Sequence, residues 1–207
     1  LRLQTERAQF IETRKLLEEA RTALIAYVVA SGGKLPCPAE PLRTEVATED
    51  AYGVSRPTCD TVAMRRGLIP WKDLGIAGHD AWGNYLGYEM TPAFKEGPGT
   101  GSSQYGMDTA GTVRLRDGAG GNAVVSDNSV AAAIWSHGAN GNLAITQQGV
   151  QQAANASSAD ESANSAMAPA SVVVTRPHST EDAEGGPYDD QVTWLSRFIV
   201  YQRVQAA

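Results

Sequence analysis

LRLQTERAQFIETRKLLEEARTALIAYVVASGG, residues 1–33, is the stretch that decides how this chain is laid out. Residues 1–30 hold neither Gly nor Pro and are filled with strong helix formers. Leu17, Ala20, Leu24, Tyr27 and Val28 recur at the three- and four-residue spacing of one helical face, and Phe10 and Thr13 carry that stripe back towards the start. Roughly thirty residues at ~1.5 Å each make a rod of ~45 Å, well beyond the mean globular helix, so the pattern predicts a spine that outreaches a small domain. From Leu16 onward the apolar face is broad enough to lie on a sheet. Residues 1–15, with Arg2, Glu6, Arg7, Glu12, Arg14 and Lys15, are expected to protrude. Arg14 with Glu18 and Lys15 with Glu19 are expected to pair four residues apart. Gly32 and Gly33 are expected to stop the helix in the left-handed C-cap conformation.

Working outward, 207 residues with 42% apolar content can bury one sizeable core beside a protruding element. The helical stretch carries a net charge of +1, which leaves −7 for the remainder of a chain whose total is −6. A body that acidic argues against a nucleic-acid partner. No run reaches the ~18 apolar residues of a membrane span. The chain opens on Leu1 without an initiator Met, as expected of a processed or trimmed form.

Cys37 in LPCPAEP and Cys59 in RPTCD sit in Pro-rich, loop-like contexts where neither a buried nor a catalytic thiol is expected. A bridge between them would close a loop of roughly twenty residues, for about 3 kcal/mol in the chain-entropy account. The alternative is two unlinked cytosolic thiols; zinc would need more ligands than the neighbourhood supplies. The bridge, and with it an oxidising compartment, is the preferred reading.

Residues 34–66 contain four of the ten prolines and read as a long surface loop needing such a clamp. In GLIPWKDLGIAGHDAWGNYLGYEM, residues 67–90, Leu68, Ile69, Trp71, Leu74 and Ile76 are apolar anchors. Asp80, Trp82, Gly83 and Asn84 form a structural turn in which Asp80 bonds nearby backbone N–H groups and Trp82 packs across. A strand follows at residues 85–90. Residues 92–110 read as a flexible Gly- and Ser-rich loop; its GPGTGSS lacks the context of a phosphate-binding loop. GTVRLRD (111–117), VAAAIWS (130–136), SVVVT (171–175) and QVTWLS (191–196) read as strands, while RFIVYQRVQ (197–205) is ambiguous between strand and helix. Residues 147–168, rich in Ala, Gln, Ser and Asn and free of aromatics, are expected to be a mobile low-complexity insertion rather than a marginal helix.

Catalytic arrangements are not expected. Ser136 and His137 are adjacent, so their side chains diverge, and His79, His137 and His178 are scattered singly as turn or surface residues. The carboxylate pairs Glu49-Asp50, Asp160-Glu161 and Glu181-Asp182 read as solvated loop charges. Asp189-Asp190, placed between a Gly-Gly-Pro turn and a strand, could supply oxygens to calcium, with SHGANGN adding carbonyls and Asn140. The alternative is capping of the strand start and protection of an edge by charge.

Taken in order, the long helix, the Cys-clamped loop, GLIPWKDLGI with DAWGNYLGY, the strand end WSHGANG and the late DDQVTW resemble the type IV pilin and type II secretion pseudopilin superfamily, and its minor, pilin-like members in particular. DAWGNYLGY is similar to the DPWGNPYxY-type turn of major pseudopilins, and WSHGANG to their SxGADG loop. The resemblance implies an α+β fold, a long N-terminal α-helix packed on an antiparallel β-sheet with long loops. Residues 1–33 would be the helical spine, continuing a hydrophobic half-helix that anchors such proteins in the inner membrane. Residues 34–207 would be the globular domain. It implies a non-enzymatic structural subunit that meets other pilins or pseudopilins through its helix, at the periplasmic face of the inner membrane or in an extracellular filament. The alternative is an adhesin or substrate-binding module at a filament tip. Asn140 departs from the acidic residue of the major pseudopilin loop, which counts against a calcium site there.

Overall fold

A computed structural model describes residues 2–43, 51–99, 104–155, 157–170, 172–179 and 184–206. Helix α1 runs Arg2–Ala30 and ends as the glycines dictate: Gly33 N–H donates to Val28 O at 2.7 Å, with φ of +71° at Gly32 and +94° at Gly33. Thr13, Leu17, Ala20, Leu24 and Val28 form its buried line. Tyr27 lies about 100° round the helix from that line and is only half-buried. Residues 3–8 are exposed, so the protruding part is shorter than its polar composition suggests. Gln9 and Thr13 are polar but bond the backbone of Ala81, and this holds the helix to the turn at residues 80–84. The expected four-residue ion pairs are replaced by three-residue ones, Lys15 with Glu12 and Arg21 with Glu18. Arg14 lies over the Phe10 ring instead.

The remaining elements are β1 (Arg66–Leu68), α2 (Trp71–Leu74), β2 (Asn84–Tyr85), β3 (Gly87–Met90), β4 (Arg114–Arg116), β5 (Val130–Ser136), β6 (Ile145–Thr146), α3 (Ala159–Ala163), β7 (Val172–Val174), β8 (Gln191–Ser196) and α4 (Arg197–Gln205). Four of them form an antiparallel sheet in the order β1-β3-β5-β8. The fold is α+β, with α1 on that sheet. Tyr88, Met90, Ala132, Ile134 and Leu195 turn towards α1 and join Leu17, Ala20, Leu24 and Val28 in the larger core. On the opposite face Ala133 and Trp135 meet Val113, Leu115 and Val173. Gly87 faces Trp135 across the strands, where a Cβ would strike the indole.

Val113, just ahead of β4, bridges Val130 of β5; β4 itself pairs in parallel with β7 and forms a third layer over the outer face. Residues 85–90 are split by Leu86 into β2 and β3, and β2 pairs with β6. The ambiguous tail is the helix α4, whose first turn is capped by Ser196 Oγ accepting from Phe198 N–H at 3.1 Å.

Cys37 and Cys59 are bridged. Both half-cystines are buried, contrary to their loop-like setting, because residues 35–39 turn inward and Ala39 bridges Leu68. The 92–110 stretch is anchored by buried Phe94 and by Tyr105, whose hydroxyl donates to Gly33 O at 2.7 Å.

Candidate metal centre

Asp80 shows how this chain uses a carboxylate structurally. Its Oδ1 accepts from the N–H groups of Trp82 and Asn84, both at 3.0 Å, and its Oδ2 accepts from the Ser136 hydroxyl at 2.6 Å. Gly83, at φ +84°, completes the turn, and Trp82 stands half-exposed beside Phe10 and Leu3. Burial raises the Asp80 carboxyl above its ordinary range, opposed by these hydrogen bonds. The Ser136 hydroxyl is thereby engaged away from His137.

A second carboxylate group is less completely satisfied. The turn after β5 brings Gly138, Ala139 and Asn140 beside the start of β8, and α3 closes the third side. Glu161, Asp189 and Asp190 each place one oxygen within 4.8 Å of the others. Asp189 Oδ2 accepts from Ala139 N–H at 2.9 Å and Asn140 N–H at 3.0 Å. Glu161 Oε1 accepts from Asn140 Nδ2 at 2.8 Å and Asp189 N–H at 2.9 Å. Asp190 Oδ2 accepts from Asn164 Nδ2 at 2.7 Å. The other oxygens, Glu161 Oε2, Asp189 Oδ1 and Asp190 Oδ1, are buried without a hydrogen-bond partner. Gly138, at φ +62°, allows this approach, since a Cβ there would collide with the Asp189 carboxylate.

Packing three acids together has an electrostatic consequence. Burial first, with the Glu161 charge adding, pushes the Asp189 carboxyl up to about 7. Asp190 is raised well above the ordinary range by burial, with the neighbouring acids adding and the Asn164 amide opposing. A buried cation would reverse both shifts. Three carboxylate oxygens are about half of the six to eight that calcium takes, so other oxygens would have to complete the shell. Asn140 does not fill the part expected of it: its Oδ1 accepts from Asn142 N–H, and it shows an N–H donor to the acids.

The sequence reading of residues 147–168 as a mobile insertion is corrected here. Ser158, Asp160, Glu161, Asn164, Ser165 and Ala166 are buried. Asp160 is paired with Arg176 at 2.7 Å rather than solvated. The pattern Ser158-x-x-Glu161 is a helix-start signal that could have placed α3. Here the Ser158 hydroxyl donates to Pro187 O and Glu161 turns into the acidic group, so the box itself does not close. His137 is also buried rather than on a surface or turn, and its ring nitrogens make no hydrogen bond of ordinary geometry. Burial lowers it to about 4 and so holds it neutral; the backbone of Asn142 opposes this and the Arg66 charge adds. The pairs Glu49-Asp50 and Glu181-Asp182 lie outside the described residues.

No family model matches the chain, and no curated protein or solved structure matches it either.

Proposed function

We propose that the chain is a non-enzymatic structural subunit of a type IV filament or type II secretion system, a minor pilin or pseudopilin that assembles with other such subunits through α1. The observation that supports this best is the division of labour along the helix. From Gln9 to Val28 it is tied to the turn and the sheet, whereas residues 3–8 stand exposed, with Leu3 80% accessible. Leu3 and Phe10 face Trp82 and Ala139 across a shallow, largely apolar groove of about 330 Å³. A helix end that offers apolar side chains beside such a groove suits packing against a neighbouring subunit. No helix among the described residues is long and apolar enough to cross a membrane. The Cys37–Cys59 bridge fits a periplasmic or extracellular home. On the same reading Glu161, Asp189 and Asp190 hold a structural calcium that joins α3 to β8.

The test is photo-cross-linking from position 3 in cells that make the full-length protein. Cross-links to other helix-bearing subunits in the filament or secretion-complex fraction are expected. A protein recovered only as an uncross-linked monomer would overturn the proposal.

A further inference from the structure

Asn140 is the only asparagine of the chain followed by glycine. Its side chain folds back over the Gly141 peptide, because Oδ1 accepts from Asn142 N–H at 2.9 Å and closes a ring across residue 141. The amide nitrogen is fixed from the other side by Glu161 Oε1 at 2.8 Å. Gly141 brings no Cβ to the approach and holds φ at +61°, a conformation that L residues resist. Asn140 is itself exposed, so water reaches it.

We infer that Asn140 is a self-modifying site, at which the fold promotes conversion of its amide to a carboxylate. The Gly141 nitrogen attacks Asn140 Cγ, forming an N–C bond and releasing its proton to water. The carbonyl oxygen gains negative charge where the Asn142 N–H already points, the arrangement that stabilises a tetrahedral intermediate. The Cγ–Nδ2 bond then breaks, and Nδ2 departs as ammonia with a proton taken from water. Water opens the resulting succinimide, its hydroxyl adding to a ring carbonyl and its hydrogen to the ring nitrogen. The products are aspartate or its isoaspartyl isomer. One water is consumed, one ammonia is released and nothing is oxidised. Glu161 acts as a positioning residue, since its bond to Nδ2 keeps Oδ1 turned towards Asn142.

The product changes the neighbouring acids. The donor that met Glu161 Oε1 becomes a fourth carboxylate, so that Glu161, Asp189, Asp190 and residue 140 share one turn. That consequence rests on the calcium reading above; the modification itself does not.

Purified, folded protein is incubated in heavy-oxygen water and mapped by peptide mass spectrometry, alongside the same protein in urea. The folded chain should take up label at residue 140 and at no other asparagine, and faster than the unfolded chain. Glu161→Ala, which removes the acceptor of the Asn140 amide, should slow the folded protein to the unfolded rate. Should that variant not fold, the comparison of folded and unfolded wild type decides alone. An amide that lasts as long in the folded protein as in urea, or longer, overturns the inference, as does labelling spread over several asparagines. Separately, Asn140→Asp should show a larger calcium-induced rise in Tm than Asn140→Gln. Equal, null responses would remove the calcium reading and leave the labelling result standing.

Discussion

The two faces of the four-stranded sheet are built on opposite principles. The inner face buries Tyr88, Ala132, Ile134 and Leu195 under α1, and the Tyr88 hydroxyl donates to Pro36 O at 3.0 Å. The outer face buries a cation. Arg66 pairs with Glu89 at 2.6 Å, lies over Trp135, and donates to Ala163 O and Val172 O at 2.6 and 2.7 Å. Apolar burial is non-directional and tolerates small shifts, whereas the guanidinium fork has to find its acceptors. The inner face therefore supplies much of the cohesion, and the outer face fixes where the added segments sit. Burial raises the Glu89 carboxyl despite Arg66 beside it, so desolvation outweighs their attraction and the pair adds little net stability.

The sharpest break of this contrast is Arg66→Met. It leaves Glu89 buried without its partner and should destabilise by about 3 to 5 kcal/mol in urea unfolding. Adding Glu89→Leu should recover most of that loss. If the double variant stays as weak as the single one, the pair is a stabilising element after all. On the inner face Leu24→Ala should remove about 2 to 5 kcal/mol, because Leu24 is fully buried, while Arg7→Ala on the exposed end should stay within about 0.5 kcal/mol. Equal effects would contradict the division of the helix.

Calcium should stabilise the fold as a whole, because only the folded chain brings Glu161, Asp189 and Asp190 together. At a hundredfold excess over Kd it should add about 2.7 kcal/mol, magnesium at the same concentration should add less, and Asp190→Asn should abolish the difference. Smaller than the calcium effect is that of pH. Asp189 and Asp190 are raised in the folded chain, so the folded state holds protons that the unfolded one has released, and stability is lost as pH rises through their folded values. His137 is shifted downward and acts in the opposite sense, between about 4 and its unfolded value. The clean window therefore lies from just above pH 6.5 to pH 8. There the cation-free protein should lose on the order of 1 kcal/mol, and Asp189→Asn should flatten that slope.

What could be read in the sequence follows the same division. The helix is legible because its stripe persists over many turns, and residues 130–136 are legible because β-branched and small apolar residues run without interruption into a turn. Tyr27 is misplaced by a single helical step, which composition does not resolve. The outer layer was hidden for a different reason. Residues 158–166 are small and polar, so they bury without a periodic apolar signal, and their partners come from far along the chain. Asn164 binds Val174 and Asp190, and Glu161 binds the 189 peptide. Asp189 and Asp190 could be singled out locally, but Glu161 is recognisable only once α3 is placed. β7 was visible as a run of valines; its parallel pairing with β4 is a non-local choice that no local pattern specifies.

The first element of the chain leans on the last strand. The Arg21 guanidinium donates to Trp194 O at 3.0 Å across 173 positions, and Thr193 reaches Glu18 across 175. β8 also completes the sheet beside β5. Contacts between residues so far apart close late, since loop entropy must be overcome before they form. During synthesis α1 thus emerges well before β8 and has no complete seat until residues 191–196 follow it. Nascent chains stalled ahead of residue 191 should leave the helix open to protease, and release of the final strand and α4 should close it.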